Sequence, residues 1–323
     1  MLRRKIQGTP AWLVLGALLG VAACSANEPC LVGADCASGA CRADGTCAPV
    51  ATTDLGTDSE GEDGSSSGDG RESDTTASLD DGTGDGTGGE LCLPPNADGL
   101  IEREEMPLQA GLSATFRVAQ GVPFDSAGTM VDGARQWDFD VMLTGDHQSI
   151  AETQALTGRW FEPLFPGATY ASRLTDGDDL LGVFEATDTA LLLRGVVSPT
   201  DGLDRTELAY DPPVTILAFP LWEGQSWTTD ATVSGLAQGI AVFYTESYDG
   251  EVDASGVAIT PYGELPVLRA NVLLTRTVGV LITTVRTQSF VAECFGTVAS
   301  LRSEEGVDEA EFGQAAELRR LAP

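Results

Sequence analysis

The chain has one histidine, His147, one lysine, Lys5, and aromatic side chains at only 7% of its 323 positions. Chemistry that needs two imidazoles, a Schiff-base lysine, a phosphate-loop lysine or a Ser-Lys pair is out of reach once Lys5 is set aside with the leader described below. Cations are scarce in general. Eighteen basic residues face 49 acidic ones, for a net charge of -31. A nucleic-acid partner requires a clustered Lys/Arg footprint, so none is expected. No apolar stretch reaches the ~20 residues of a membrane-spanning helix. His147 stands beside Asp146 in a loop after an alternating segment, where a solitary surface imidazole is expected to be structurally idle rather than a general base. No catalytic residue, cofactor or metal ligand is assigned.

What is present starts at the N-terminus. Arg3, Arg4 and Lys5 precede the uncharged run Ala11–Ala23, AWLVLGALLGVAA. A positive segment followed by a short apolar one and small residues is the pattern of a secretory signal peptide over 1–23. Val21-Ala22-Ala23-Cys24 resembles the bacterial lipobox, in which the cysteine after a small-residue triplet becomes the lipidated N-terminus. The resemblance implies acyl chains on Cys24, hence a membrane partner through that lipid, and two or more chains anchor durably. Ser25 in place of aspartate implies sorting to the outer membrane in that family, facing either the periplasm or the exterior. Removing three basic residues and no acid takes the charge from -31 to -34.

Cysteine parity agrees with export. Seven cysteines less Cys24 leave six, an even number suited to three disulfides in an oxidising compartment. Residues 24–50 carry Cys30, Cys36, Cys41 and Cys47. So short a segment has no apolar core and can hold shape only through cross-links. Of the three pairings, Cys30–Cys41 with Cys36–Cys47 is favoured by equal spacing. Zinc is disfavoured, because there is no C-x2-C pair and no nearby histidine. The run GADCASGACRADGTC resembles small cysteine modules near the N-termini of Gram-negative lipoproteins of unknown function. The last two cysteines, Cys92 and Cys294, are expected to pair, closing a loop of about 200 residues worth several kcal/mol in the chain-entropy model; two buried thiols are the alternative.

Residues 51–91 form an acidic linker. Of these 41 residues 35 are Gly, Ser, Thr, Asp or Glu, and the net charge is -11. Such a composition cannot bury enough apolar surface to offset chain entropy and reads as a disordered tether spanning roughly 35 Å as a coil. Its G-x-S-x-G and G-x-G-x-x-G strings follow no strand and open no helix, so they lack the context that gives them chemistry.

Residues 92–323 read as one β-rich domain, an antiparallel sandwich, half-barrel or barrel, with a short helix at Asp308–Leu321. Alternation of period two recurs, as in Trp137, Phe139, Val141 and Leu143 against Asp138, Asp140 and Met142. Other runs lie at 112–119, 169–174, 180–185, 190–197, 214–219, 240–248, 267–277, 280–287 and 290–301, several divided by Asp-Gly pairs at 176–177, 201–202 and 249–250. Pro220-Leu221-x-x-Gly224-x-x-Trp227 resembles a motif of secreted all-β bacterial proteins of unknown function, some with half-barrels; Pro220 and Gly224 would shape a turn while Leu221 and Trp227 cap a sheet end.

The expectation is a monomeric, non-enzymatic, lipid-anchored envelope protein whose domain binds a protein or a hydrophobic small molecule. A carboxylate-based glycan hydrolase is the alternative, since two acids at a suitable separation suffice for that chemistry. The local acid clusters, Asp138 with Asp140 and Glu102 with Glu104 and Glu105, read instead as a solvated strand face and a polar domain entry.

Overall fold

A computed structural model of the chain describes residues 95–323. The leader, the lipidation of Cys24, the pairing of Cys30, Cys36, Cys41 and Cys47, the linker and Cys92 lie outside the described residues.

Fourteen strands follow in chain order: β1 (Ser113–Pro123), β2 (Thr129–Val131), β3 (Ala134–Asp138), β4 (His147–Gln154), β5 (Tyr170–Arg173), β6 (Leu181–Ala186), β7 (Ala190–Val197), β8 (Glu207–Ala218), β9 (Ser226–Ala237), β10 (Ile240–Thr260), β11 (Gly263–Val278), β12 (Leu281–Ala292), β13 (Gly296–Ser303) and β14 (Gln314–Leu321). They form one sheet in the order β11-β12-β13-β14-β1-β4-β5-β6-β7-β8-β9-β10-β3-β2, and β10 also pairs with β11. That last pairing closes twelve strands, all antiparallel to their ring neighbours, into a barrel. The all-β expectation holds, and of the architectures left open by the sequence a closed barrel forms. Closure leaves no unpaired edge in the ring. The β2–β3 hairpin is a branch, attached where β3 runs parallel to β10 from Gly256 opposite Arg135 to Ile259 opposite Asp138.

Two kinds of core result. Tyr170, Leu191, Leu217, Val252, Leu268 and Val291 come from β5, β7, β8, β10, β11 and β12 yet pack together. Strands from opposite sides of a ring can meet only in its lumen. Tyr210, Val233, Tyr248 and Leu274 continue this filling along the barrel. A second layer lies outside. Trp137, Phe139 and Phe124, from the excursion between β1 and β4, pack on Ala258, Val267, Phe290 and Leu301 of the wall. On another sector Phe161 and Phe165, from the β4–β5 connection, cover Ala171, Val183 and Val197. Strands with cover on both faces lose their alternation, which is why residues 267–271 of β11 are all buried.

The outer cover is fastened by one arginine. Arg269 donates from Nε and Nη2 to Asp253 at 2.8 and 2.9 Å, from Nη2 and Nη1 to Glu311 at 2.6 and 3.1 Å, and from Nη1 to the Ser126 carbonyl at 2.8 Å. Its guanidinium lies 5.5 Å from the Trp137 ring centroid. A single buried cation thus joins β10, the β1–β2 connection and the β13–β14 connection.

Several sequence expectations need correction. The tail expected to be helical is strand β14, which fills the slot between β13 and β1. Its Ala, Glu, Leu and Arg favour a helix locally, but the slot offers backbone partners on both sides and buries Ala315, Leu318 and Leu321, so tertiary context outweighs propensity. Asp249-Gly250 is not a turn. β10 runs through it, and Gly250 stands opposite Trp227, whose indole lies where a Cβ would come within 2.2 Å. The run 290–301 is two strands divided by a turn, and Cys294, expected within a strand, occupies that turn at φ 63°. β2, β4 and β9 are additional strands. β9 is rich in Ser, Thr and Ala, so its inward Ala231 and Val233 give a weak hydrophobic signal.

Candidate functional site

The residues expected to be idle or structural come first. His147 opens β4 and its ring faces two acceptors, the Asp176 carboxylate 2.7 Å from Nε2 and the Gly145 carbonyl 3.1 Å from Nδ1. Both nitrogens must carry hydrogens to satisfy both contacts, so the bond to Asp176 and then that to Gly145 raise its pKa. Ser149 also bonds Asp176, which with His147 lowers that carboxyl against burial. The carboxylate therefore sits between the hydroxyl and the imidazole. This arrangement holds a histidine cation and does not place a base on the serine. His147 pins β4 to the β5–β6 turn.

The buried acids occupy separate places. Glu105 caps the 3-10 turn Arg103–Glu105 by accepting the Glu102 amide at 2.9 Å, and burial, opposed by that bond but reinforced by Glu293, pushes its pKa up. Glu317 on β14 accepts from the Asp176 amide and from Arg319 at 2.9 and 2.7 Å. Glu246 lies in the lumen. Asp138 and Asp140 are exposed, joined only by the Asp140 amide donating to Asp138 at 3.1 Å. Among the described residues no group of three His, Cys, Asp or Glu side chains is placed to hold a metal.

Cys294 is disulfide-bonded. Every other cysteine of the chain lies outside the described residues. Its turn is held by its own amide donating to the Glu105 carbonyl at 2.8 Å, while the Glu293 carboxylate accepts the Asn96 and Ala97 amides. The start of the described chain is therefore fixed at the barrel end where β12 passes into β13. Leu221 and Trp227 of the Pro220 motif lie at that same end: Leu221 is bridged to Ile101, and Trp227 donates from Nε1 to the Thr215 carbonyl at 3.1 Å. An open concavity of about 530 Å³ near the β4–β5 connection is lined by Leu156, Glu162, Phe165 and their chain neighbours. One connection supplies all its walls, so no groups from different elements converge there.

The opposite end of the barrel is different. Glu246 and Arg276 are cross-strand partners, and Arg276 donates from Nε to Glu246 at 2.7 Å. Tyr248 donates to the other carboxylate oxygen at 2.6 Å, and Arg276 lies over the Tyr244 ring at 5.5 Å. Burial pushes the Tyr248 and Tyr210 hydroxyls up, so they remain protonated donors. The charges of Glu246 and Arg276 offset one another, the carboxylate fully buried and the guanidinium partly exposed. Beyond this pair residues 238–245 and 277–284 carry no charge, with Asp204 and Arg205 beside Gly239 and Glu304 and Glu305 near Thr284 as the neighbouring charges. The β11–β12 hairpin turns on Gly279-Val280, with Gly279 at φ 61° as a two-residue turn requires at its first position. Around it Phe243, Val280, Leu281 and Ile282 are 75%, 96%, 69% and 70% exposed. Val278 stands opposite Leu281, and Ile240 projects from the neighbouring β9–β10 turn. Alternation marked residues from 280 onward as strand but could not show that strand pairing ends before anything covers them.

The wall of the barrel is not apolar. Thr228, Asp230, Asp249 and Glu251 face outward along β9 and β10 and are exposed. With aliphatic and aromatic groups in the lumen, this is the reverse of a membrane-spanning barrel, whose lipid-facing band is apolar and whose interior is polar. No helix among the described residues is long and apolar enough to cross a membrane. Compared with protein families, with curated proteins and with solved structures, the chain matches none.

Proposed function

We propose that this is a lipid-anchored cell-envelope protein, held at the outer membrane through Cys24, which presents the barrel as a non-catalytic binding domain at the end of an acidic tether. The observation that carries the binding role is the uncovered apolar crown at residues 240–243 and 278–282. Exposed apolar side chains gathered at one place on an otherwise acidic surface mark a contact site. The glycan-hydrolase reading draws less support, because it needs two carboxyls converging on one open cleft while Glu105, Glu246 and Glu317 each serve a separate local network.

The test of the anchor is Cys24→Ala in the native host. The unaltered protein is expected in the membrane fraction after alkaline carbonate washing, with acyl mass on its N-terminal peptide. The variant is expected in the soluble fraction. Carbonate-resistant retention of Cys24→Ala would overturn the anchor.

A further inference from the structure

We propose that the apolar crown inserts into the interfacial layer of a lipid membrane and so sets which end of the barrel faces it. The inference deepens the binding role above by naming the occupant of the crown.

Three observations favour lipid over another macromolecule. The first is shape: Val278, Val280, Leu281 and Ile282 lie at the β11–β12 hairpin tip, where a Cβ on Gly279 would meet nothing within 4 Å, while Ile240 and Phe243 flank it from β10, whose own turn is held by the Gly239 amide donating to the Arg205 carbonyl at 2.9 Å. A protein partner needs about 800 Å² of complementary surface on each side, whereas lipid moulds itself around a convex apolar tip. The second is charge. Residues 92–323 carry -21 overall, yet residues 238–245 and 277–284 contain no charged side chain. Arg276 beneath the crown is bonded through Nε to the buried Glu246, so that pair adds no net charge there. The third is position. The described chain begins beside Glu293 and Cys294, and the crown lies at the other end of β12, roughly 35 Å away along twelve strand residues. Seventy residues separate Cys24 from the described chain at the start of this span. Their contour, at most roughly 230 Å, allows the far end to return to the surface that holds the lipid. Glu304 and Glu305 flank the crown, since the Gly306 amide donates to the Thr284 carbonyl at 2.9 Å. The surface approached is therefore one with neutral headgroups.

The test uses residues 24–323 carrying Cys24→Ala, so that no acyl chain contributes, sedimented with phosphatidylcholine vesicles. Binding that persists in high salt is expected, with at least a tenfold loss in the Val280→Asp/Leu281→Asp variant and weaker binding to phosphatidylglycerol vesicles. Both altered side chains are exposed, and an unchanged unfolding curve checks that the variant is folded. Absence of vesicle binding, or equal binding by the variant, would overturn the proposal. So would a dimer in sedimentation equilibrium that the double variant converts to monomer, because a second copy would then cover the crown. Independently, Val280→Trp in the full acylated chain is expected to be quenched by brominated lipid; an unquenched tryptophan refutes insertion. An N-terminal peptide without acyl mass would remove the anchor and leave the vesicle result standing, so the two failures are distinguishable.

Discussion

Replacing Arg269 by methionine tests whether the outer layer of the barrel depends on one buried cation. The guanidinium is 2% exposed and uses all five of its N–H groups on Asp253, Glu311 and the Ser126 carbonyl. Methionine keeps much of the side-chain volume but leaves Asp253 without its ion-pair partner and Glu311 with only Arg135, whose Nη1 lies 3.9 Å away. Removing one partner of a buried ion pair costs about 3–5 kcal/mol. Glu311 retains 37% exposure, so water compensates part of its charge and the lower end, about 3 kcal/mol, applies. For a folded unit of 229 described residues this corresponds to a fall in Tm of about 6–12 °C. Thermal and urea unfolding followed by tryptophan emission read it, since Trp137 stacks on the altered position. The pH dependence supplies a second check. Burial pushes the Glu311 carboxyl up, but the bonds from Arg269 and Ser126 outweigh it and hold it below the usual range. Its contribution is therefore present above the unfolded carboxyl's pKa and lost as pH falls through the lower folded value. In the variant Glu311 has lost its principal cation and takes up a proton more readily when folded, so the deficit shrinks between pH 7 and pH 4. A variant within 1 kcal/mol of the parent at pH 7, or a deficit that stays constant with pH, refutes this account.

Gly250→Ala places a methyl group within 2.2 Å of the Trp227 indole, and overpacking of this kind costs about 1–3 kcal/mol, measurable as a lower urea midpoint at unchanged slope. The same substitution at Gly279 meets no neighbour within 4 Å, but it meets the positive φ of the turn, so its cost is expected near 1 kcal/mol. His147→Asn removes a group whose folded pKa is raised by Asp176 and Gly145. The stabilisation from that histidine is complete below its unfolded pKa and disappears as pH rises through the folded value. Parent and variant unfolding curves are thus expected to differ at pH 5.5 and to converge at alkaline pH; a constant gap would show that the imidazole acts through packing.

How far the sequence revealed this structure depends on which faces of a strand are covered. Trp137, Phe139 and Asp138, Asp140 alternate between buried and exposed as expected, although regular pairing stops at Asp138, because the excursion keeps one face against the wall. β7 matches its expected bounds, 190–197, since continuous apolar residues and flanking polar turns both mark it. β8 begins earlier than its apolar stretch suggests. Pro212 and Pro213 lie in a bulge between the pairs Gly195–Ala209 and Leu193–Val214, where no ladder N–H is required of them. Trp227 and Gly250 were both visible, but only the barrel's register shows that one exists for the other. The crown was hidden for a related reason. Val280, Leu281 and Ile282 resemble the start of any buried strand, and nothing local reports that this strand end lies beyond the ring's cover.

The acidity of the domain also takes on a definite arrangement. Apart from His147 its thirteen basic residues are all arginines, and several are committed to buried or partly buried acids: Arg276 to Glu246, Arg269 to Asp253 and Glu311, Arg319 to Glu317, Arg320 to Asp146. The forked guanidinium suits this duty, because it can serve two acceptors at once in a site that admits little water. Once these pairs are set aside, the remaining excess of acid lies on the outer wall and connecting loops, where it repels other acidic surfaces and keeps the wall hydrated. The crown interrupts that coat with apolar side chains and no charge. A barrel of this kind is chemically distinct at its two ends, one fastened to the entering chain through the Cys294 turn and the other carrying an apolar tip between acidic connections. Any surface that accepts the second end must therefore be one the acidic wall does not touch, and this ties the orientation of the molecule to the crown.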